Sequence, residues 1–248
     1  MKKLALVAVL ALFGCLAADA QYMCEKEGAV LKYNGTTTIE GKTYDTGYSC
    51  KVLSVVKDGD AVVSSTVEET HKVPGNDFAE IKNNISYSYN PATGLTVEHL
   101  MTADEFRKLI TNIVSEAMRQ MGQTFNESML VEIQKAITVK GDLSLDLPAE
   151  FDAEAKVPNR SIKASVQGMS MTMNLWNVKY LGFEDVEVPA GKYEKCLKLT
   201  YVLKQTSPQG SDKTTVEAWY AKGVGPVKKI SADSKGNPVA EEVLAEIK

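Results

Sequence analysis

Along most of the chain apolar and polar positions alternate, the two-residue period of strands that bury one face. Residues 28–33 show it briefly and end at Asn34-Gly35, a turn pair. Thr43 to Val56 and Ala61 to Val73 flank Lys57-Asp58-Gly59-Asp60, and β-branched residues around an Asp-Gly turn predict a hairpin. Pro74-Gly75-Asn76-Asp77 breaks the pattern, and Phe78 to Tyr89 resumes it with Ile81, Ile85, Tyr87 and Tyr89. Asn90-Pro91-Ala92-Thr93-Gly94 is another turn.

The period then changes. Thr102 followed by Glu105 is a capping box, and behind it Phe106, Leu109, Ile110, Ile113, Val114, Ala117, Met118 and Met121 form one apolar stripe. This spacing predicts an amphipathic helix over about 103–121, stopped at Gly122, and such a stripe has to be buried against something, here a sheet. Met129, Leu130 and Ile133 fit a second, short helix. Alternation returns at Leu143, Leu145 and Leu147, and a charged crossing with two prolines fills 149–160. Strand patterns follow over 161–180, 186–189, 193–206, 213–220 and 227–230, each closed by a Gly-, Pro- or Asp-containing turn. Short sequential turns favour antiparallel pairing, because parallel neighbours need a long crossover. No segment has the composition of a linker. The expectation is one domain over 21–248, in which 21–100 and 137–248 form two parts of one curved sheet around the long helix.

The first residues stand outside this pattern. Lys2-Lys3, an apolar run from Leu4 to Leu16 and Ala18-Asp19-Ala20 are the three parts of a secretory signal, with cleavage after Ala20. The run is shorter than the roughly 20 residues of a membrane-spanning helix. Leu12-Phe13-Gly14-Cys15 offers a rival, acylation at Cys15, although Phe13 fits that pattern poorly. The expected destination is the periplasm or cell envelope. The chain holds 28 basic and 32 acidic side chains, a net charge of −4. This mild acidity, without a Lys/Arg stripe carrying interleaved aromatics, argues against nucleic acid as a partner.

Beyond the signal region three cysteines remain, Cys24, Cys50 and Cys196. Cys24 and Cys50 could bridge in an oxidising compartment, and alternation places Cys196 inward as a buried free thiol. Their spacing relative to His71 and His99 matches no zinc signature, and both histidines read as surface or edge residues. Asp142, Asp146, Glu150, Asp152 and Glu154 miss the calcium-loop pattern and read as solvated acids. Gly223-Val224-Gly225 lies between strands and reads as a bend, not a phosphate loop. Hydrolase, zincin, nucleotide and dinucleotide motifs are missing, so neither an enzyme nor a cofactor is expected. The methionines are more suggestive: Met169, Met171 and Met173 share a strand face, and Met118 and Met121 lie on the helix. Thioethers adapt to irregular apolar shapes, which suits either ordinary core or a cavity that accommodates a ligand.

Val188-Pro189-Ala190-Gly191-Lys192-Tyr193 with Cys196-Leu197-Lys198-Leu199, and Trp219 to Lys228, resemble segments of exported bacterial proteins. So does Gly141 to Pro148. The chain is similar to the TapB-like family of unknown function in the Bacteroidetes, associated with the folds of the LolA and LolB lipoprotein carriers. That resemblance implies a β-rich α+β fold: a curved, half-open antiparallel sheet wrapped around one long amphipathic helix, with an apolar inner surface. It brings no catalytic residues. The expected function is then binding of a lipid or lipoprotein acyl chain in a groove lined by Phe106, Ile110, Ile113, Val114, Met118, Met121, Met169, Met171 and Met173. The alternative is a structural or assembly component of the envelope, in contact with another envelope protein and with its interior full.

Overall fold

The strand patterns give strands, but longer and more of them than the sequence outlines. The computed structural model describes residues 21–39, 41–73, 76–120, 127–152, 154–166 and 168–248. Among these, β1 (Val30–Ile39), β2 (Lys42–Asp45), β3 (Tyr48–Asp58), β4 (Ala61–Val73), β5 (Asn76–Asn90) and β6 (Leu95–Met101) lead into two helices, α1 (Ala103–Gln120) and α2 (Glu127–Ala136). Then come β7 (Thr138–Pro148), β8 (Arg160–Val166), β9 (Met169–Val188), β10 (Gly191–Ser207), β11 (Gly210–Ala221), β12 (Gly225–Ala232) and β13 (Pro238–Ile247). The signal region, Cys15, the turn at Pro74-Gly75, Met121 and Gly122 lie outside the described residues.

From β3 onward each strand pairs antiparallel with the next, and β1 pairs with β3 on one side and with β13 on the other. The register runs from Leu31 opposite Ile247 to Thr37 opposite Ala240. The result is a closed barrel of twelve strands, with β2 attached to the outer half of β1. The half-open, LolA-like sheet wrapped around a helix is therefore wrong. Pairing of the first and last strands removes both open edges, which an unclosed sheet would have to cover or charge. Much of the interior is filled by the strands' own side chains.

Alternation sets the two faces of the wall. Leu143, Leu145 and Leu147 of β7 and Leu197, Leu199 and Tyr201 of β10 are buried inside. Outside, Lys198 and Lys228 lie over the Trp219 ring, 4.7 and 5.6 Å from its centroid. Among the described residues no helix is long and apolar enough to cross a membrane. A bulge between Tyr193 and Cys196, with Lys195 at a φ of 51°, lets both Cys196 and Leu197 be buried.

The α1 helix starts at its cap. The Thr102 hydroxyl accepts the Glu105 amide at 3.2 Å, and Arg107–Asp104 and Lys108–Glu105 pair along its exposed side. Inserted between β6 and β7, it packs mainly on β7, β8 and α2. Phe106 and Ile110 are buried there, whereas Ile113 stays 47% exposed. The helix sits at one rim of the barrel and not at its centre. The opposite end is sealed by the chain itself. Gln21, Tyr22, Met23 and Cys24 are all buried; the Gly223 amide donates to the Gln21 carbonyl at 2.6 Å, and the Tyr22 amide to the Thr96 hydroxyl at 3.3 Å. The Gly223-Val224-Gly225 bend is the ledge on which this N-terminal plug rests.

Candidate functional site at the barrel mouth

Below the helices the barrel opens into a cavity of about 250 Å³. Its wall divides into two arcs. One arc, from β6, β7, β9, β10 and β11, contributes Leu100, Met101, Leu143, Met173, Leu203 and Val216. The other, from β12, β13, β3, β4 and β5, contributes Lys229, Glu242, Tyr48, Glu69, His71 and Asn83. Ile85 of β5 and Ser231 of β12 complete the second arc and Tyr201 of β10 the first, so the cavity has a mainly apolar side facing a mainly polar one.

The polar arc is built from cross-strand pairs. Tyr48 stands opposite both Tyr33 and His71 and stacks between them, with centroids 4.5 Å away in each case. His71 Nε2 lies 3.0 Å from Glu69 Oε2, and the Cys50 thiol donates to the other oxygen of that carboxylate at 3.8 Å. The Tyr48 hydroxyl donates to Glu242 at 3.2 Å. Beneath them Glu98 is completely buried and accepts the Tyr87 hydroxyl at 2.8 Å and the Tyr220 hydroxyl at 2.6 Å. Burial, reinforced by Glu98, holds the Tyr87 and Tyr220 hydroxyls well above the usual phenol range, and burial pushes Tyr201 up to about 12.

Lys229 is opposite Glu242 in the register and half-buried on the cavity wall. Burial works against its charge, but Glu98, Tyr201, Glu242 and Glu69 outweigh that, and its ammonium is held above the ordinary lysine value. Its outward neighbour Lys228 pairs with Glu241 at 3.2 Å. Lys229 itself has no ion-pair partner among the described residues.

The residues singled out by sequence scatter. Ile110, Ile113, Val114, Met169 and Met171 meet in a shallow groove of about 110 Å³ between α1 and the β8–β9 hairpin. Phe106 is sealed in the core, Met173 turns into the mouth instead, and Met118 lines a separate hollow against α2. Cys24 and Cys50 are buried free thiols that border one residual void of about 20 Å³, and Cys196 is a buried free thiol as well. His99 is hydrogen-bonded to Ser88 at 3.1 Å, whereas His71 is a rim residue of the cavity. Among the described residues no acid, histidine and cysteine cluster could hold a metal. Sequence reasoning passed over Lys229, Glu98, Glu69 and Glu242. The available signal was charge at inward positions of alternating strands, as in Thr96-Val97-Glu98-His99-Leu100.

The family model described as DUF3108-like matches residues 75–244, from the start of β5 into β13. The chain belongs to the DUF3108-like family. No curated protein sequence matches it. Two crystal structures share its architecture. One, of a putative exported protein with a YmcC-like fold from Bacteroides fragilis, is 15% identical with a TM-score of 0.62. The other, of a putative lipoprotein from Parabacteroides distasonis, is 17% identical with a TM-score of 0.63. Each alignment covers 92% of this chain and 99% of the other. These likenesses show the fold, and with the closed ring of strands they replace the TapB-like and LolA/LolB assignment. In this DUF3108-like chain Lys229, Glu98 and Glu242 fall inside the family segment; Tyr48, Glu69 and His71 precede it.

Proposed function

We propose that the protein is an exported, non-enzymatic barrel that holds the acyl part of an amphiphile in its mouth. The observation that carries this reading is the division of the 250 Å³ cavity into an apolar and a polar arc. Ligand sites are concave and largely apolar, with a few polar groups that orient the ligand, and small β-barrels take ligands at their open ends. The groove formed by Ile110, Ile113, Val114, Met169 and Met171 is a second apolar surface beside the helix, on the strand β9 that also brings Met173 to the mouth. Export is supported by the Lys2-Lys3, Leu4–Leu16 and Ala18-Asp19-Ala20 segment, and by relatives described as an exported protein and a lipoprotein. Cleavage after Ala20 leaves the whole plug in the mature chain. Acylation at Cys15 would instead tether the plug end and turn the mouth away from the membrane.

The test is native mass spectrometry of the protein purified from an exporting cell, followed by lipid extraction. A stoichiometric acyl compound that is lost from Leu203→Trp, which fills the mouth, is the expected result. An interior that stays empty and takes up no acyl probe would refute the reading and leave an assembly role. The intact mass also reports cleavage after Ala20 or acylation of Cys15.

A further inference from the structure

The charged groups of the mouth differ in whether their hydrogen bonds are already made. Glu98 accepts two tyrosine hydroxyls, Glu69 accepts from His71 and from the Cys50 thiol, and Glu242 accepts from Tyr48. Lys229 has three protons to donate. Among the described residues it meets no acceptor, although Glu242 stands opposite it in the register. The acids are provided for and the one ammonium is not.

An anionic oxygen in the cavity would complete Lys229. A simple anion, however, would enter a space where Glu69, Glu98 and Glu242 already outnumber the ammonium, and like charges repel strongly where water is scarce. A head group that carries a cationic nitrogen beside its anionic oxygen meets both conditions. The oxygen pairs with Lys229, the nitrogen faces Glu242 and Glu69, and the attached chain lies on Leu100, Met101, Leu143, Met173 and Leu203.

We infer that the mouth recognises a zwitterionic amphiphile, one acyl chain with an anionic oxygen and a cationic nitrogen in its head. This rests on the amphiphile-binding reading above and specifies its head group. The full chain is titrated calorimetrically with lauroyl probes that differ only in the head: lysophosphatidylethanolamine, Nε-lauroyl-lysine, lauric acid and monolaurin. Either zwitterion should bind at least tenfold tighter than the acid and the neutral glyceride, and the tighter of the two tells whether the anion is a phosphate or a carboxylate. Lys229→Gln should reduce both zwitterions to the level of monolaurin. Glu242→Gln should weaken the zwitterions and strengthen lauric acid, and this reversal decides the matter if Lys229→Gln does not fold. Equal affinity for all four heads overturns the head-group assignment while amphiphile binding stands. No binding of any probe overturns both.

Discussion

The two ends of the barrel are made from the same strands and solve the problem of a hollow interior differently. At one end the segment Gln21 to Cys24 folds inward, and only about 20 Å³ remains empty between Cys24, Leu31, Cys50 and their neighbours. At the other end no comparable segment enters among the described residues. The α1 helix packs on β7 and β8 at one side of the rim, and about 250 Å³ stays open above the Glu98 belt. Close-packed interiors tolerate few voids larger than a water molecule. The contrast therefore separates a part of the protein that supplies stability from a part available for a ligand.

The strongest challenge to this contrast is alkali, because the belt and the plug both depend on neutral tyrosines and thiols. Burial, with a smaller push from Cys196, raises Tyr22 from 10.0 to about 12; burial raises Tyr201 from 10.0 to about 12 and, with Asp185 and Glu184 adding, Cys196 from 9.0 to about 11. Each protonated form is favoured by folding. Its contribution is complete below pH 9 to 10 and disappears as the pH rises through 11 to 12. Tyrosinate absorbance and circular dichroism should change together, with loss of the barrel in that window. Ionisation of all the tyrosines near pH 10 in an intact fold would contradict the buried belt.

The same substitution at the two ends gives the most direct comparison. Met23 is fully buried in the plug, and Met23→Ala should cost about 3–4 kcal/mol in urea unfolding. Met173 borders the open mouth, and Met173→Ala should cost less than about 1 kcal/mol. Similar losses would mean that the mouth is packed as tightly as the plug. Glu98→Ala strips the Tyr87 and Tyr220 hydroxyls of their acceptor and should cost about 3 kcal/mol; an unchanged midpoint would show that water replaces the carboxylate. The smallest effect belongs to the rim. Thr102→Ala removes the cap of α1 and should cost about 1 kcal/mol, with faster amide exchange in the first helical turn and none of that change at Met23.

Much of the wall was legible one strand at a time. The Asp58-Gly59 hairpin and the Leu143-Leu145-Leu147 alternation could be read because period and turn chemistry are local; Cys196 is buried as well, but through the bulge after Tyr193 and not through alternation with Leu197 and Leu199. The α1 start was legible in Thr102 and Glu105 for the same reason. The mouth was not. In Val227-Lys228-Lys229-Ile230 two adjacent lysines look alike, and only the register, with Lys229 beside Glu242 of the neighbouring strand on the inner face, separates an ion-paired surface residue from an unpaired one on the cavity wall. Glu98 was hidden similarly: Tyr87 stands opposite it in the β5–β6 pair, but its second partner Tyr220 comes from β11, far away in the chain.

By itself the sequence determined many of the strand segments, the antiparallel pairing of neighbours and the capped helix, all set by interactions among residues close in the chain. It missed that β1 runs on through Asn34-Gly35 and that the 161–180 pattern is parts of two strands, β8 and β9. Only the tertiary structure decided that the sheet closes. That depends on β1 meeting β13, a contact between the two ends of the folded chain to which no local pattern refers. Closure in turn moved the helix from the centre to the rim and gave the barrel an interior. It also placed Lys229, Glu69 and Glu242 on one side of that interior and the leucines and methionines on the other.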